Sequence, residues 1–482
     1  MAHPNIVYIL ADDQGYGDAT CYNPNCKAPT PCMDRLAAGG VLFTDSHTSS
    51  SVCTPTRYSV MTGRYNWRSW MKAGVLAGDG APLLEPGRET VASFLQRAGY
   101  RTACVGKWHL GLGWQKADGS DYPAGYAGDW QIGMQADIDY AAPVSSGPND
   151  YGFDYSYVIP SSLDIPPYVY LENGRCTGIP SEETMLGVDT PFLMRRGPSV
   201  PGMQAIDVLP HLTDTVCREI DTHAAERTGQ PLFVYFPLTA PHTPIIPAEE
   251  YKGRTDIGPY GDFVTQVDAT IAQVVDALER NGMLENTLLI VTSDNGASPA
   301  THLDELKLLG HEPNWPWRGT KADLYEGGHR TPFIAHWPAV APAGQVCDQT
   351  ICTTDLMATA ADIVGLPLPD DAGEDSYSLM PLLRGDAIDG DFREATVHHS
   401  VSGHFAIRQG KWKLLEARGS GGWSYPKEDE ATAWGLPEYQ LYNLEADPAE
   451  AHNVAPGHPD IVARLKGLLD RYRDSPRSAP AR

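Results

Sequence analysis

Cysteine is scarce in this chain, nine residues in 482, and the number is odd. That excludes a disulfide scaffold, a device of short, cysteine-dense chains. Cys21, Cys26 and Cys32, and again Cys347 and Cys352, are spaced so that bridges or free thiols are both open, and none has the CxxC spacing of a zinc site. Basic residues are also few: 36 Lys and Arg face 61 Asp and Glu, a net charge of −25. Such a balance opposes general binding to nucleic acid or to an anionic membrane, so an anionic substrate must find a local basic pocket. Long apolar runs are missing as well. The first, Ile6 to Ala11, is too short for a signal core or a membrane span and follows no basic segment, which predicts a cytoplasmic chain or one exported with its signal already removed. Internal repeats are absent, and low complexity is confined to Ser49-Ser50-Ser51 and the last eight residues. What remains, 42% hydrophobic and 20% charged, is an ordinary globular composition long enough for two unequal domains.

Four apolar or β-branched runs each end in a polar cluster: NIVYILADD (5–13), RTACVGKWH (101–109), PLFVYFPLTAPH (231–242) and LLIVTSDNG (288–296). Continuous apolar runs without alternation suit parallel strands buried on both faces. Between them, Phe263, Val267, Ile271, Val274 and Leu278 recur at helical spacing before Asn281-Gly282, and Val91, Phe94, Leu95 and Ala98 do so before Gly99. Strands alternating with helices predict a doubly wound, mostly parallel α/β sheet whose ligands sit at the carboxyl ends of the strands. Past about residue 380 the texture changes: 405–417 reads as an antiparallel hairpin, QLYNLEADP as a strand and turn, and 461–472 as an amphipathic helix. The expected division is a catalytic domain over 1–380 and a smaller α+β domain, with an antiparallel sheet, over 381–482.

Asp12-Asp13 closes the first run and Asp294-Asn295-Gly296 closes a later one. Either group alone reads as turn and cap residues. Brought to one sheet edge, three carboxylates and an amide oxygen make an all-oxygen site that suits Ca²⁺ or Mg²⁺ better than zinc. Cys53, in SSSVCTPTR, lies near a short helix expected through Tyr58 to Thr62, with Arg57 four residues on; it reads either as an inert small residue or as a nucleophile of lowered pKa.

Cys53-Thr54-Pro55-Thr56-Arg57 resembles the modification signature of the formylglycine-dependent (type I) sulfatases, in which the cysteine is oxidised to 3-oxoalanine and serves, hydrated, as the nucleophile. NIVYILADDQGYG (5–17), GRY (63–65), GKWHLG (106–111), APHTP (240–244), SDNG (293–296), RGTKADLYEGGHRTPF (318–333) and QLYNLEADPAEAHNVA (440–455) resemble the same family, in its order and over nearly the whole chain. The resemblance implies an alkaline-phosphatase-like fold, with Asp12, Asp13, Asp294 and Asn295 as calcium ligands and Cys53 as the formylglycine. It makes Arg57 the electrostatic partner of Cys53, and Lys107, His109, His242 and Lys321 the sulfate-handling residues. Ser162, with Ser161 next, both in IPSSLD (159–164), is the candidate polar residue of the loop after the third motif, GKWHLG. Asp164, His311 and Arg318 are further expected substrate contacts.

A sulfate monoester needs its nonbridging oxygens neutralised and its leaving alcohol protonated, tasks that suit this set of cations and histidines. In this reading Asp294 accepts a proton from the nucleophile, His242 protonates the leaving oxygen, and His109 assists release of sulfate. The expected enzyme is a sulfatase, arylsulfatase-like, acting on a small sulfated glycan or aryl sulfate. A net charge of −25 predicts an exo-acting pocket, since long polyanions are repelled. Its maturation would need a formylglycine-generating or anaerobic sulfatase-maturating enzyme. The alternatives are a phosphonate monoester hydrolase or phosphodiesterase using the same nucleophile, and a catalytically silent glycan-binding relative.

Overall fold

In the computed structural model, residues 3–189 and 194–480 are described. Ten strands form one sheet in the order Gln345–Cys347, Val41–Phe43, Phe333–His336, Thr287–Ser293, Asn5–Ala11, Leu232–Pro237, Arg101–Lys107, Tyr155–Ile159, Leu171–Glu172 and Arg175–Cys176. The five from Thr287–Ser293 to Tyr155–Ile159 run parallel; Phe333–His336 and the pair beyond Tyr155–Ile159 are antiparallel additions at the flanks.

The alternation of side chains across a strand explains why the central runs are apolar throughout. Ile6, Tyr8 and Leu10 enter one core while Val7, Ile9 and Ala11 enter the other. Leu288 and Ile290 likewise oppose Leu289 and Val291. The helices Pro31–Gly39, Ala205–Glu226 and Pro259–Arg280 cover one face, and Cys53–Thr62, Val91–Arg97 and Leu356–Val364 cover the other. The helix near the modification motif begins at Cys53 itself rather than at Tyr58.

A second, antiparallel sheet joins Thr396–His399, Phe405–Gln409, Trp412–Leu415 and Gln440–Asn443, backed by the helix Pro459–Asp474. Its apolar face shares a core with Tyr65, Trp67 and Cys352 from the larger part of the chain. Its other face carries Lys413, whose buried ammonium meets Glu326 at 3.0 Å and Glu450 at 2.9 Å. Beside it Asp45 pairs with Arg408 at 2.6 Å and Arg330 at 3.0 Å, and the rings of His329 and His398 stack 3.7 Å apart. The two sheets are therefore joined through both apolar and charged contacts. All nine cysteines are free thiols, so the spacings near Cys21 and Cys347 form no bridges. Among the described residues, no helix is long and apolar enough to cross a membrane.

Candidate active site

The carboxyl ends of the parallel strands converge where a doubly wound sheet places its ligands. Asp12 and Asp13 follow Ala11, Lys107 ends its strand, and Asp294 and Asn295 follow Ser293. His242 sits five residues past Pro237 and His109 two past Lys107. Cys53 arrives from outside the sheet as the first residue of the helix Cys53–Thr62, at the positive end of its backbone dipole.

Opposite charges pair tightly on the floor. Lys107 Nζ donates to both oxygens of Asp12 (2.9 and 2.8 Å) and Lys321 Nζ to both of Asp13 (2.7 and 2.8 Å). The Arg57 guanidinium donates to Asp294 Oδ2 from Nε and Nη2 (3.0 and 2.7 Å) and to the Lys107 carbonyl from Nη1 (2.8 Å). Cys53 Sγ lies 3.4 Å from Lys321 Nζ and 3.7 Å from Asp12 Oδ1. Arg57 thus serves the carboxylates directly and reaches Cys53 only through the field. That field does not make a thiolate: burial pushes the Cys53 thiol up to about 12, with Lys107 and Lys321 only partly opposing it. The lowered-pKa reading of this thiol is overturned.

Burial alone would raise the Asp12 pKa, but Lys107, His242, Arg57 and Lys321 outweigh it and hold the group well below the usual carboxylate range. For Lys321 burial favours the neutral amine, and Asp13 with Cys53 and Asp12 outweighs it, so the ammonium persists. Burial pushes Asp294 up, with Arg57 opposing.

The donors here fit a hard divalent cation. Asn295 donates through Nδ2 to Asp13 Oδ1 (2.7 Å), while its buried Oδ1 has no hydrogen-bond partner. Asp12, Asp13, Cys53 and His242 offer ligand atoms all within 4.8 Å of one another. Three carboxylates face three cations, so a divalent ion would leave the floor with the positive charge an anionic ester needs.

The two histidines differ in tautomer. His242 Nδ1 bonds the Thr243 carbonyl at 2.8 Å, leaving Nε2 on the side of Asp13, 3.6 Å from its Oδ2. His109 Nε2 bonds the Leu76 carbonyl at 2.8 Å, and its buried Nδ1 has no partner. A carbonyl accepts only from N–H, so each bond fixes which nitrogen carries the ring proton. Burial, reinforced by Lys107 and Arg57, keeps His109 neutral.

Above the floor opens a cleft of about 660 Å³, lined by Cys53, His109, Ser162, Asp164, His242 and Lys321. Ser161 is buried beside Ser162 but does not line it. Neither do His311 and Arg318, which corrects their expected substrate contacts. His311 is fully buried, its Nε2 2.9 Å from Asp18 Oδ1; the Arg318 guanidinium lies 3.9 Å over Tyr325 and donates to the Glu450 carbonyl. Nearness to Lys321 in sequence did not carry them to the cleft: the turn closed by Asp323 N and the Thr320 carbonyl brings Lys321 to the cleft without them. Sequence reasoning also missed Trp130, Arg195 and Trp423, which line the cleft from three separate loops. Arg195 pairs with Asp164 at 2.9 Å and lies 4.8 Å over the Trp130 ring. Loop residues follow no apolar period, and the sole local signal is the Gly421-Gly422 turn before Trp423.

The sulfatase family model matches residues 4–366, and a model described as N-sulphoglucosamine sulphohydrolase, C-terminal, matches 315–475. The chain belongs to the sulfatase family, and it is a sulfuric ester hydrolase with the mixed sheet and small antiparallel sheet of that fold. It is 33% identical to the N-acetylgalactosamine-6-O-sulfatase of Bacteroides thetaiotaomicron over 98% of this chain and 93% of that protein. It is 32% identical to human arylsulfatase A, over 96% of this chain and 87% of the relative. A solved sulfatase from a Bacteroides thetaiotaomicron locus for metabolism of multiple glycosaminoglycans superposes with a TM-score of 0.82 at 31% identity, over 98% of this chain and all of that one.

Proposed function

We propose that this chain is an exo-acting sulfatase of sulfated carbohydrates, with residue 53 as nucleophile after oxidation of the cysteine to formylglycine. The observation that carries the reading is the position of Cys53 Sγ, at a helix start on the cleft floor and 3.4 Å from Lys321 Nζ. As an unmodified thiol pushed up to about 12, it is a poor nucleophile, which favours a modified residue in its place. Formylglycine supplies, as its hydrate, a hydroxyl nucleophile there. Asp12, Asp13, Asp294 and Asn295 would hold a calcium ion, which supplies positive charge for the nonbridging sulfate oxygens. The similarity to an N-acetylgalactosamine-6-O-sulfatase supports a sulfated sugar as substrate.

The chain's own groups divide the remaining work. Lys107 and Lys321 compensate sulfate charge from fixed positions, so little reorganisation accompanies attack. His242 acts as the imidazolium: its Nδ1–H, donated to the Thr243 carbonyl, holds the ring in place, and its second proton, on Nε2, goes to the leaving sugar oxygen. His109, neutral and with a bare Nδ1, is the proton acceptor that assists sulfate release. Peptide mass spectrometry is expected to find the aldehyde at residue 53 of active protein, and Cys53→Ala to abolish turnover with the fold retained. Full activity in protein carrying only the thiol would reject the reading. Chelation is expected to remove activity and Ca²⁺ to restore it.

A further inference from the structure

Three of the most exposed large apolar side chains lie within twelve residues of one loop and short helix: Trp423 at 45%, Tyr425 at 63% and Trp434 at 54% exposure. Trp423 lines the cleft above Cys53, and the Tyr425 and Trp434 rings sit 5.4 Å apart at 61° to one another. The loop is not loosely draped. Asp323 Oδ1 accepts from the backbone N–H of Trp423 (2.8 Å) and of Ser424 (2.9 Å), and Leu324 N donates to the Ser420 carbonyl at 2.8 Å. A Cβ at Gly422 would meet the Ala322 carbonyl at 2.2 Å, so only glycine lets the loop lie this close to the segment that carries Lys321. Trp423 is therefore held in fixed relation to the cation beside the nucleophile. On the far side, the Glu428 carboxylate accepts from Arg418 N (3.1 Å) and Gly419 N (2.8 Å).

We infer that Trp423, and beyond it the Tyr425–Trp434 pair, form a stacking platform for neutral pyranose rings attached to the sulfated sugar on its leaving-oxygen side. The inference rests on the carbohydrate reading above. Sulfate lies at the floor, so the alcohol part of the substrate must extend to the mouth where Trp423 stands. A pyranose ring presents a face of C–H hydrogens, and an indole or phenol ring presents a negative π-face to receive it. Buried aromatics would serve packing; these three are exposed, and Trp423, its backbone held by Asp323, lines the cleft itself. Charge selects the occupant: Glu428, Asp429 and Glu430 lie between Tyr425 and Trp434, in a chain of net charge −25, so neutral sugars fit and a densely sulfated chain does not.

The test compares a sulfated monosaccharide with a trisaccharide bearing the same sulfated sugar at its non-reducing end and two neutral sugars after it. The fully modified enzyme is assayed alongside Trp423→Ala, Trp423→Phe and the double variant Tyr425→Ala/Trp434→Ala. Native enzyme is expected to show the lower KM on the trisaccharide. The double variant should raise that KM about tenfold, a typical worth of ring stacking, and move the monosaccharide KM much less. Trp423→Ala should raise both KM values, and Trp423→Phe should recover most of the loss. The inhibition constant of inorganic sulfate should stay within about twofold in every variant that folds, which a merely disrupted floor would not allow. Should Trp423→Ala fail to fold, Trp423→Leu keeps apolar bulk without a π-face and takes its place. Trisaccharide KM values unchanged in the double variant and at residue 423 would overturn the platform alone. Native enzyme that cleaves nitrophenyl sulfate and no sulfated saccharide would overturn the carbohydrate reading, and the platform with it.

Discussion

His242 and His109 are the same side chain held by opposite ring nitrogens. One spends Nδ1 on a backbone carbonyl and keeps Nε2 near the reacting groups; the other spends Nε2 and keeps a bare Nδ1. If His242 is the acid, its loss should matter in proportion to the need for a proton on the leaving oxygen. A sugar alkoxide leaves poorly without one, whereas nitrophenolate leaves readily. His242→Ala is therefore expected to lower kcat on a sugar sulfate by about 10² to 10⁴ and to hurt nitrophenyl sulfate much less. Parallel kinetics on the two substrates decide it, and equal losses would assign His242 to sulfate binding instead. At this scale the sequence was most informative where a residue ends a buried strand: the positions of Asp12, Asp13, Lys107 and Asp294 follow from the apolar runs before them. It was least informative where direction depends on a turn. His311 and Arg318 precede Lys321 by ten and three residues, yet hydrogen bonds to Asp18 and to the Glu450 carbonyl turn them away.

The turn after the strand Thr287–Ser293 shows how an element depends on close contact rather than on special backbone angles. A Cβ on Gly296 would stand 1.8 Å from the Gly327 carbonyl, and the Gly296 N–H donates to the Gly328 carbonyl at 3.0 Å. Gly296→Ala must push the segment Glu326–His329 away or shift Asn295, whose unpartnered oxygen is a proposed metal ligand. The expected loss is about 2 to 4 kcal/mol of stability, read from denaturant unfolding, together with weaker Ca²⁺ binding by calorimetry. An unchanged unfolding midpoint would show that the two segments yield easily. Strands and the longer helices were legible because burial on both faces, or on one helical stripe, leaves a repeating pattern. Between Lys107 and Pro148 the chain forms only turns and one isolated bridge, Gln115–Asp121, and this region supplies Trp130 to the cleft. Irregular backbone writes no period into the sequence, so the walls of the cleft were hidden while its floor was readable.

Across the whole molecule, the charged layer between the two sheets sets the response to pH. Burial lowers the pKa of His329 and His398, with their cationic and imidazole neighbours adding to it, so both are neutral in the folded protein. An unfolded histidine titrates near about 6.5, so below that pH the unfolded chain binds more protons and stability must fall. Asp45 adds to this at lower pH: burial would raise it, but Arg330 and Arg408 outweigh that and hold it well below the usual range, so its contribution is present above about 4 and lost on further acidification. Glu450 in the same layer, pushed up to about 7 by burial, opposes this in part; with the histidines outnumbering it, the melting temperature is expected to fall from pH 7 to 5, with proton uptake on unfolding measurable by calorimetry in buffers of different ionisation enthalpy. His398→Gln should flatten that slope. A melting temperature independent of pH over this range would contradict the buried, neutral state of the histidines.

The same joining of early and late chain sets a deadline. Cys53 is 2% exposed, and the loop before it is held by distant residues: Ser51 N donates to the His399 carbonyl at 3.0 Å, and Ala322 N to the Ser51 carbonyl at 2.8 Å. If the thiol is oxidised as proposed, a protein catalyst would need the segment around it free, and so would have to work before those partners arrive. The roughly 350 residues from Cys53 to His399 leave a ribosome at about 5 to 20 residues per second, an interval of roughly 20 to 70 s. Synthesis that outpaces the modification would seal the unreacted thiol inside a correctly folded molecule, so specific activity would record the pace of production as much as the quality of the fold.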